Sequence, residues 1–216
     1  MRAPRTTASR TTQARTSAPA RRGATRVVPV TPDRWPDLEA LFGEKGACAG
    51  CWCMWMRLPT AAFRRGKGEG NRRALKALVS KRPPGLIAYV GGGPAGWVAV
   101  APREEYVRLE NSRVLEPVAG EGVWAAPCFF IGAAFRGAGL TATLLEAAVA
   151  HAKRNGARAL EGYPNVNRRE RQPPAFVWTG FESTFKRAGF QEIARRSPTR
   201  PILRKALGRR ASRTHA

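Results

Sequence analysis

Two stretches of this chain hold residue types at spacings that could do chemistry. The first is Phe-Arg-Gly-Ala-Gly-Leu at residues 135–140. Gly137 and Gly139 lack the Cβ atoms that would keep an anion off the backbone. A helix starting just beyond them would aim its unpaired N–H groups and the positive end of its dipole at the same corner. Arg136 adds a cation. That chemistry is phosphate binding, and the alternative is a tight strand-to-helix turn with no ligand. No full G-x-G-x-x-G or P-loop pattern is present. The second stretch is Cys48, Cys51 and Cys53, a C-x-x-C-x-C run interleaved with Trp52, Met54, Trp55 and Met56. Structural zinc is tetrahedral and needs a fourth ligand. The remaining cysteine, Cys128, lies in another element, and the two histidines, His151 and His215, lie on a helix and at the C-terminal tip. No metal is expected, and the thiols read as reduced cysteines of an apolar loop.

The elements that must position the glycine turn are legible around it. Cys128–Ile131 is a short apolar run, as a buried strand would be. Leu140, Leu144, Leu145, Ala148, Val149 and Ala152 form one stripe of an amphipathic helix. Lys153 and Arg154 fall in its last turn and Gly156 where it should stop. Ala157–Gly162 is a second strand. Pro127 predicts a break or bulge in the ladder of the first. Upstream, Thr25–Val30 predicts a strand. A helix through Trp35, Leu38, Leu41 and Phe42 follows, capped by Thr31 or Asp33. Asn71 is the expected cap of a helix carrying Ala74, Leu75, Leu78 and Val79, which Pro83 and Pro84 end. Leu86–Val90 and Gly96–Ala101 flank a GGGP turn as a hairpin. Residues 103–122 read as a polar loop. A short helix over Phe181–Ala188 and strands over Glu192–Ala194 and Ile202–Leu207 complete the chain.

With the turn and its flanking elements in hand, the run FFIGAAFRGAGLTATLLEAA resembles the acetyl-CoA-binding motif of the GNAT N-acetyltransferase superfamily. That motif is Gln/Arg-x-x-Gly-x-Gly/Ala after an apolar strand. Arg136 takes its first position and Gly139 its glycine, while Thr141 stands where the family has Gly or Ala. FKRAGF at residues 185–190 resembles the family's closing Tyr-x-x-x-Gly-Phe element, with Phe185 in place of the tyrosine. The likeness covers roughly residues 25–207. It implies an α/β fold: one GNAT-like domain with a mixed, mostly antiparallel sheet of six to seven strands, splayed central parallel strands and about four helices. It also implies an acetyl group moved from acetyl-CoA to a primary amine by direct attack. Phe129, Phe130 and Ile131 would flank the pantetheine arm. Arg136, Gly137, Ala138, Gly139, Leu140, Thr141 and Ala142 would hold the pyrophosphate. Glu161, at the end of the neighbouring strand, is the expected base, with Tyr163 as proton donor on the same strand face. Trp52 and Trp55 are expected to wall the acceptor site.

Composition bounds the rest. Hydrophobic residues make up 43% of 216, enough for one sizeable core. No apolar run reaches the ~18 residues of a membrane span, so a cytoplasmic protein is expected. The formal charge is +23. Residues 1–23 carry six arginines and residues 208–216 three, without an acid; removing those nine leaves +14 on residues 24–207. Both ends read as disordered basic tails able to make weak nucleic-acid contacts. The N-terminal one also overlaps transit-peptide composition. Arg168, Arg169 and Arg171 form a basic loop that could meet an anionic acceptor. A small-molecule or protein amine is the expected partner, with a homodimer left open. Two alternatives stand beside the enzyme: a non-catalytic RNA- or ribosome-binding protein of the same fold, and a zinc or redox regulator built on the three clustered cysteines.

Overall fold

Seven apolar runs form seven strands of one sheet in the computed structural model, which describes residues 23–166 and 178–208. They are β1 (Thr25–Pro29), β2 (Gly85–Val90), β3 (Gly93–Pro102), β4 (Val123–Ile131), β5 (Ala159–Gly162), β6 (Gln191–Arg195) and β7 (Pro201–Ala206), in the order β1-β2-β3-β4-β5-β7-β6. Among the described residues six α-helices surround it: α1 (Trp35–Phe42), α2 (Thr60–Arg65), α3 (Glu69–Val79), α4 (Val107–Glu110), α5 (Leu140–Arg154) and α6 (Glu182–Arg187). The single α/β domain matches the expected architecture. The helices beyond the expected four are the short α2 and α4. The expected tails (apart from Gly23 and Gly208) and Arg168, Arg169 and Arg171 lie outside the described residues.

The two faces of the sheet follow the period of two. On β2, Leu86 and Ala88 join the core under α5, while Ile87 and Tyr89 join the core under α1 and α3. On β3, Val98 and Val100 face α5, while Trp97 and Ala99 face the other way. The predicted α5 stripe is what packs: Leu140, Leu144, Leu145, Ala148 and Ala152 are buried, and Val149 is half-buried at its edge.

Every strand pair is antiparallel except β4–β5. That parallel pair holds for three positions only: Val123–Ala159, Trp124–Leu160 and Ala125–Glu161. β4 then runs on from Ala126 to Ile131 without β5 beside it, so the centre of the sheet splits. On its other edge β4 stays paired to β3, with a register shift where Val100 meets both Ala126 and Pro127. This is the expected bulge: proline has no N–H to give the ladder, so pairing slips past it.

Local expectations were corrected at three places. α3 begins at Glu69, so Asn71 is inside it rather than capping it. Asn71 is fully buried and its Nδ2 donates to the Gly50 and Phe63 carbonyls at 3.1 and 3.4 Å, tying the cysteine loop to α2. Thr31 borders a 3-10 turn ahead of α1 and makes no side-chain cap. Within the polar stretch 103–122, Tyr106 and Leu109 are fully buried. Two apolar anchors among charges show no helical period, which is why α4 was not legible.

Candidate functional site

The glycine corner is built from the end of β4 and the start of α5. Gly137 and Gly139 have φ of +80° and +77°, a region side chains rarely adopt. Nothing lies within 4 Å of where a Cβ would stand on either. Residues 136–139 are exposed, so no side chain fills the corner. Gly139 caps α5, and the Ala142 N–H donates to its carbonyl at 2.9 Å. The amides ahead of Ala142 have no turn of helix before them to accept their protons. The Thr141 hydroxyl makes no cap, and the Leu140 side chain belongs to the core. Arg136 folds back so that its Nε donates to the Ile131 carbonyl at 3.1 Å, pinning its guanidinium to the end of β4.

The split between β4 and β5 opens toward this corner. Phe129 packs edge-on to Phe185 on the α5 side, and Phe130 packs edge-on to Phe42 on the opposite side. The edge of β4 facing the split is not wholly free. The Phe129 N–H donates to the Trp178 carbonyl at 2.6 Å. The Ile131 N–H, two residues on, points the same way by the strand's alternation.

On the α1 side of the split lies a cavity of about 430 Å³. Its deeper walls are Cys53, Met56, Phe63, Ala99, Tyr106 and Phe129, all buried. Pro127, Cys128 and Phe130 bring the bulged part of β4 into it, and Trp178 lines it from the chain beyond β5. Cys48, Ala49, Trp55, Thr60, Arg64 and Lys67 are its exposed described lining residues. Of the two tryptophans expected here only Trp55 lines the cavity. It stands 39% exposed, edge-on to Phe63, with the Arg108 guanidinium 3.9 Å above its ring. Trp52 is 6% exposed, stacked on Trp35 and edge-on to Phe42. Alternation of Trp, Met and Cys could not say which ring faced inward, because the loop is neither helix nor strand.

That loop is held in an unusual shape. Among the described residues, the non-glycine positions with positive φ are Ala47, Ala49, Trp52 and Cys53, all within seven residues. Such conformations cost of order 1–3 kcal/mol each and persist only where packing over-determines them. The shape carries Cys53 to Cys128, their sulfurs 3.5 Å apart although 75 residues separate them. All four cysteines are free and all line the cavity. The Cys53 thiol and surrounding backbone amides pull the Cys51 thiol down to about 6, whereas burial pushes Cys53 well up.

Glu161 and Tyr163 stand elsewhere. β5 ends at Gly162, one residue short of Tyr163, yet the two side chains meet: the Tyr163 hydroxyl donates to Glu161 Oε2 at 2.7 Å. Both are sealed, however, and neither lines the cavity. Glu161 Oε1 accepts from Arg103 Nη1 at 3.1 Å and from Arg204 Nε and Nη2 at 2.9 and 2.6 Å. Burial, with Glu161 beside it, raises the Tyr163 hydroxyl far above the ordinary phenol range. The expectation of an acid–base pair here loses its geometric support.

A mostly antiparallel sheet that splits at its one parallel pair, beside a bare glycine corner and a cavity, is the α/β frame that the glycine-turn resemblance implies. The model of the acetyltransferase (GNAT) family matches residues 52–171, more than half of the chain, and the chain belongs to that family. No curated protein sequence matches it. Among solved structures, an N-acetyltransferase from Staphylococcus aureus Mu50 is similar at TM-score 0.51 and 12% identity, covering 86% of this chain and 100% of that one. A GCN5-related N-acetyltransferase from Kribbella flavida is similar at 0.50 and 19%, covering 85% and 98%. The PaiA N-acetyltransferase from Thermoplasma acidophilum, solved in complex with coenzyme A, is similar at 0.50 and 12%, covering 85% and 99%. At these identities the likeness shows the shared fold. No described helix is long and apolar enough to cross a membrane.

Proposed function

We propose that this chain is an acetyl-CoA-dependent N-acetyltransferase that moves the acetyl group to a primary amine by direct attack within a ternary complex. One observation carries the reading: β4 leaves β5 after three paired residues, and the gap ends at an exposed corner whose two glycines have open space in place of side chains. Acetyl-CoA, when bound, supplies an activated thioester and a thiolate leaving group. The coenzyme A complex of the Thermoplasma relative supports this donor.

The residues that would hold it are those of the corner. Main-chain amides from Gly137 to Ala142 face an anion, and the helix dipole of α5 adds to them. Arg136 contributes charge at the rim. Phe129, Phe130 and Ile131 line the split, and the Phe129 N–H already donates to a carbonyl oxygen, that of Trp178. An acyl oxygen displacing that carbonyl would meet a donor suited to growing negative charge. The acceptor would enter through the cavity, with Trp55 as one wall. Among the described residues no Asp, Glu or His lines this cavity. Burial in apolar surroundings lowers an amine's pKa, so the acceptor arrives neutral without a side-chain base. Placement of the two reactants then supplies the acceleration. In this reading Glu161 and Tyr163 are structural, and Trp52 supports the loop.

Titration calorimetry with acetyl-CoA tests the donor half. Saturable 1:1 binding is expected, and absence of heat at high concentration would refute the proposal. Thiol release on adding amines tests the transfer itself.

A further inference from the structure

The cavity carries information about the acceptor. Its described wall is mostly apolar and aromatic, with Thr60, Arg64 and Lys67 as the polar exceptions, and its ~430 Å³ lies within the usual ~300–1,000 Å³ range of small-molecule sites. Among the described residues its only basic lining side chains, Arg64 and Lys67, are both exposed. Neither side chain makes an ion pair or hydrogen bond among the described residues, whereas Arg57, Arg72, Arg103, Arg195 and Arg204 are all paired. A third cation, Arg108, stacks on Trp55 and Phe63, and its Nη2 is buried without a partner. Unpaired donors beside an apolar pocket are what an anionic group of a ligand would satisfy. Against these cations the described part of the lining offers one acidified thiol, Cys51, and no carboxylate.

We infer that the acceptor is a primary amine on an aromatic or bulky aliphatic body that also carries a carboxylate, as the apolar α-amino acids do. The inference rests on the acetyl-transfer reading above for the fate of the amine, but not for its binding. The apolar body fills the cavity between Trp55, Phe63 and Phe130. The carboxylate lies at Arg64 and Lys67, and the amine turns toward the bulged part of β4 at Pro127–Phe129. Polyamines and aminoglycosides are excluded by the same logic. Their several ammonium groups would be desolvated against apolar wall and repelled by the basic residues at its edge.

The test uses the full chain and two readouts. Quenching of tryptophan fluorescence by phenylalanine, phenethylamine and spermidine, without acetyl-CoA, reads binding alone. Thiol release with acetyl-CoA and the same amines reads transfer. Phenylalanine should bind and turn over at least tenfold better in kcat/KM than phenethylamine, about the worth of one charge-assisted hydrogen bond. Spermidine should do neither. Changing Arg64→Ala and Lys67→Ala together should bring phenylalanine and phenethylamine within about threefold of each other. Preference for spermidine, equal use of the first two by the unaltered protein, or a preference that survives the double substitution would overturn the inference. If phenylalanine quenches fluorescence with that preference but acetyl-CoA gives no heat, the pocket assignment holds and the acetyl-transfer reading fails. If acetyl-CoA binds and no amine in the set does, the acceptor assignment fails alone.

Discussion

Two regions beside the same parallel strand pair make opposite use of their side chains. Around Glu161 every valence is taken: two arginines, a tyrosine and a carboxylate satisfy one another at 0% exposure of the acid. Around the split in β4 the reverse holds. The corner at Gly137 and Gly139 has space instead of side chains, and the cavity beside it has cations without an ion-pair partner among the described residues. The charged cluster looks more like catalytic machinery, yet the bare region is the one with capacity to bind. Open valence and open volume locate a site better than the presence of titratable groups.

The contrast can be broken most sharply at the corner. Gly139→Asp puts a side chain on a φ of +77° and a negative charge where an anion belongs. Acetyl-CoA affinity should fall more than about 100-fold, about 2.7 kcal/mol, with the fold retained. Unchanged calorimetric affinity would place the donor elsewhere. Next, Glu161→Gln leaves Arg103 and Arg204, both half-buried, without a counter-charge. Unfolding in denaturant should show a loss of about 3–5 kcal/mol, as for broken buried pairs, while kcat per folded molecule stays within a few-fold. A large drop in kcat with unchanged stability would return the catalytic role to Glu161.

The remaining predictions sharpen the picture on the cavity side. Trp55→Ala should raise the acceptor KM about tenfold, roughly 1.4 kcal/mol, and leave acetyl-CoA affinity alone. The same change at Trp52 should instead lower stability, by about 3–5 kcal/mol for a buried ring. The smallest effect concerns Cys51. Its folded value is depressed to about 6 from the ordinary 9.0, so its reactive thiolate persists down to that pH. Alkylation by iodoacetamide, followed by peptide mass spectrometry, should rise through pH ~6 at Cys51 and level off below neutrality. A midpoint near 9 would mean the loop does not stabilise the thiolate.

The β4–α5–β5 unit was legible because each of its signals is local. Leu140, Leu144 and Leu145 repeat at helical spacing, Gly156 ends the helix, and Pro127 announces the bulge that appears opposite Val100. The glycine corner was legible for the same reason, since an empty Cβ position is a property of the residue itself. Asn71 misled because its amide bonds across the loop to Gly50 and Phe63 rather than along its own helix. The pairing of Glu161 was not legible because its partners, Arg103 and Arg204, come from segments 58 and 43 residues away.

What the amino-acid order determined by itself is the strand–turn–helix frame and the anion-ready corner, since both depend on backbone freedom and side-chain period over a few residues. Only the tertiary structure decided which tryptophan faces a cavity, that Cys53 meets Cys128, and that a carboxylate at a strand end is neutralised rather than free. Those outcomes depend on which distant groups arrive at the same place, and charge, burial and hydrogen bonding take their sign from that company.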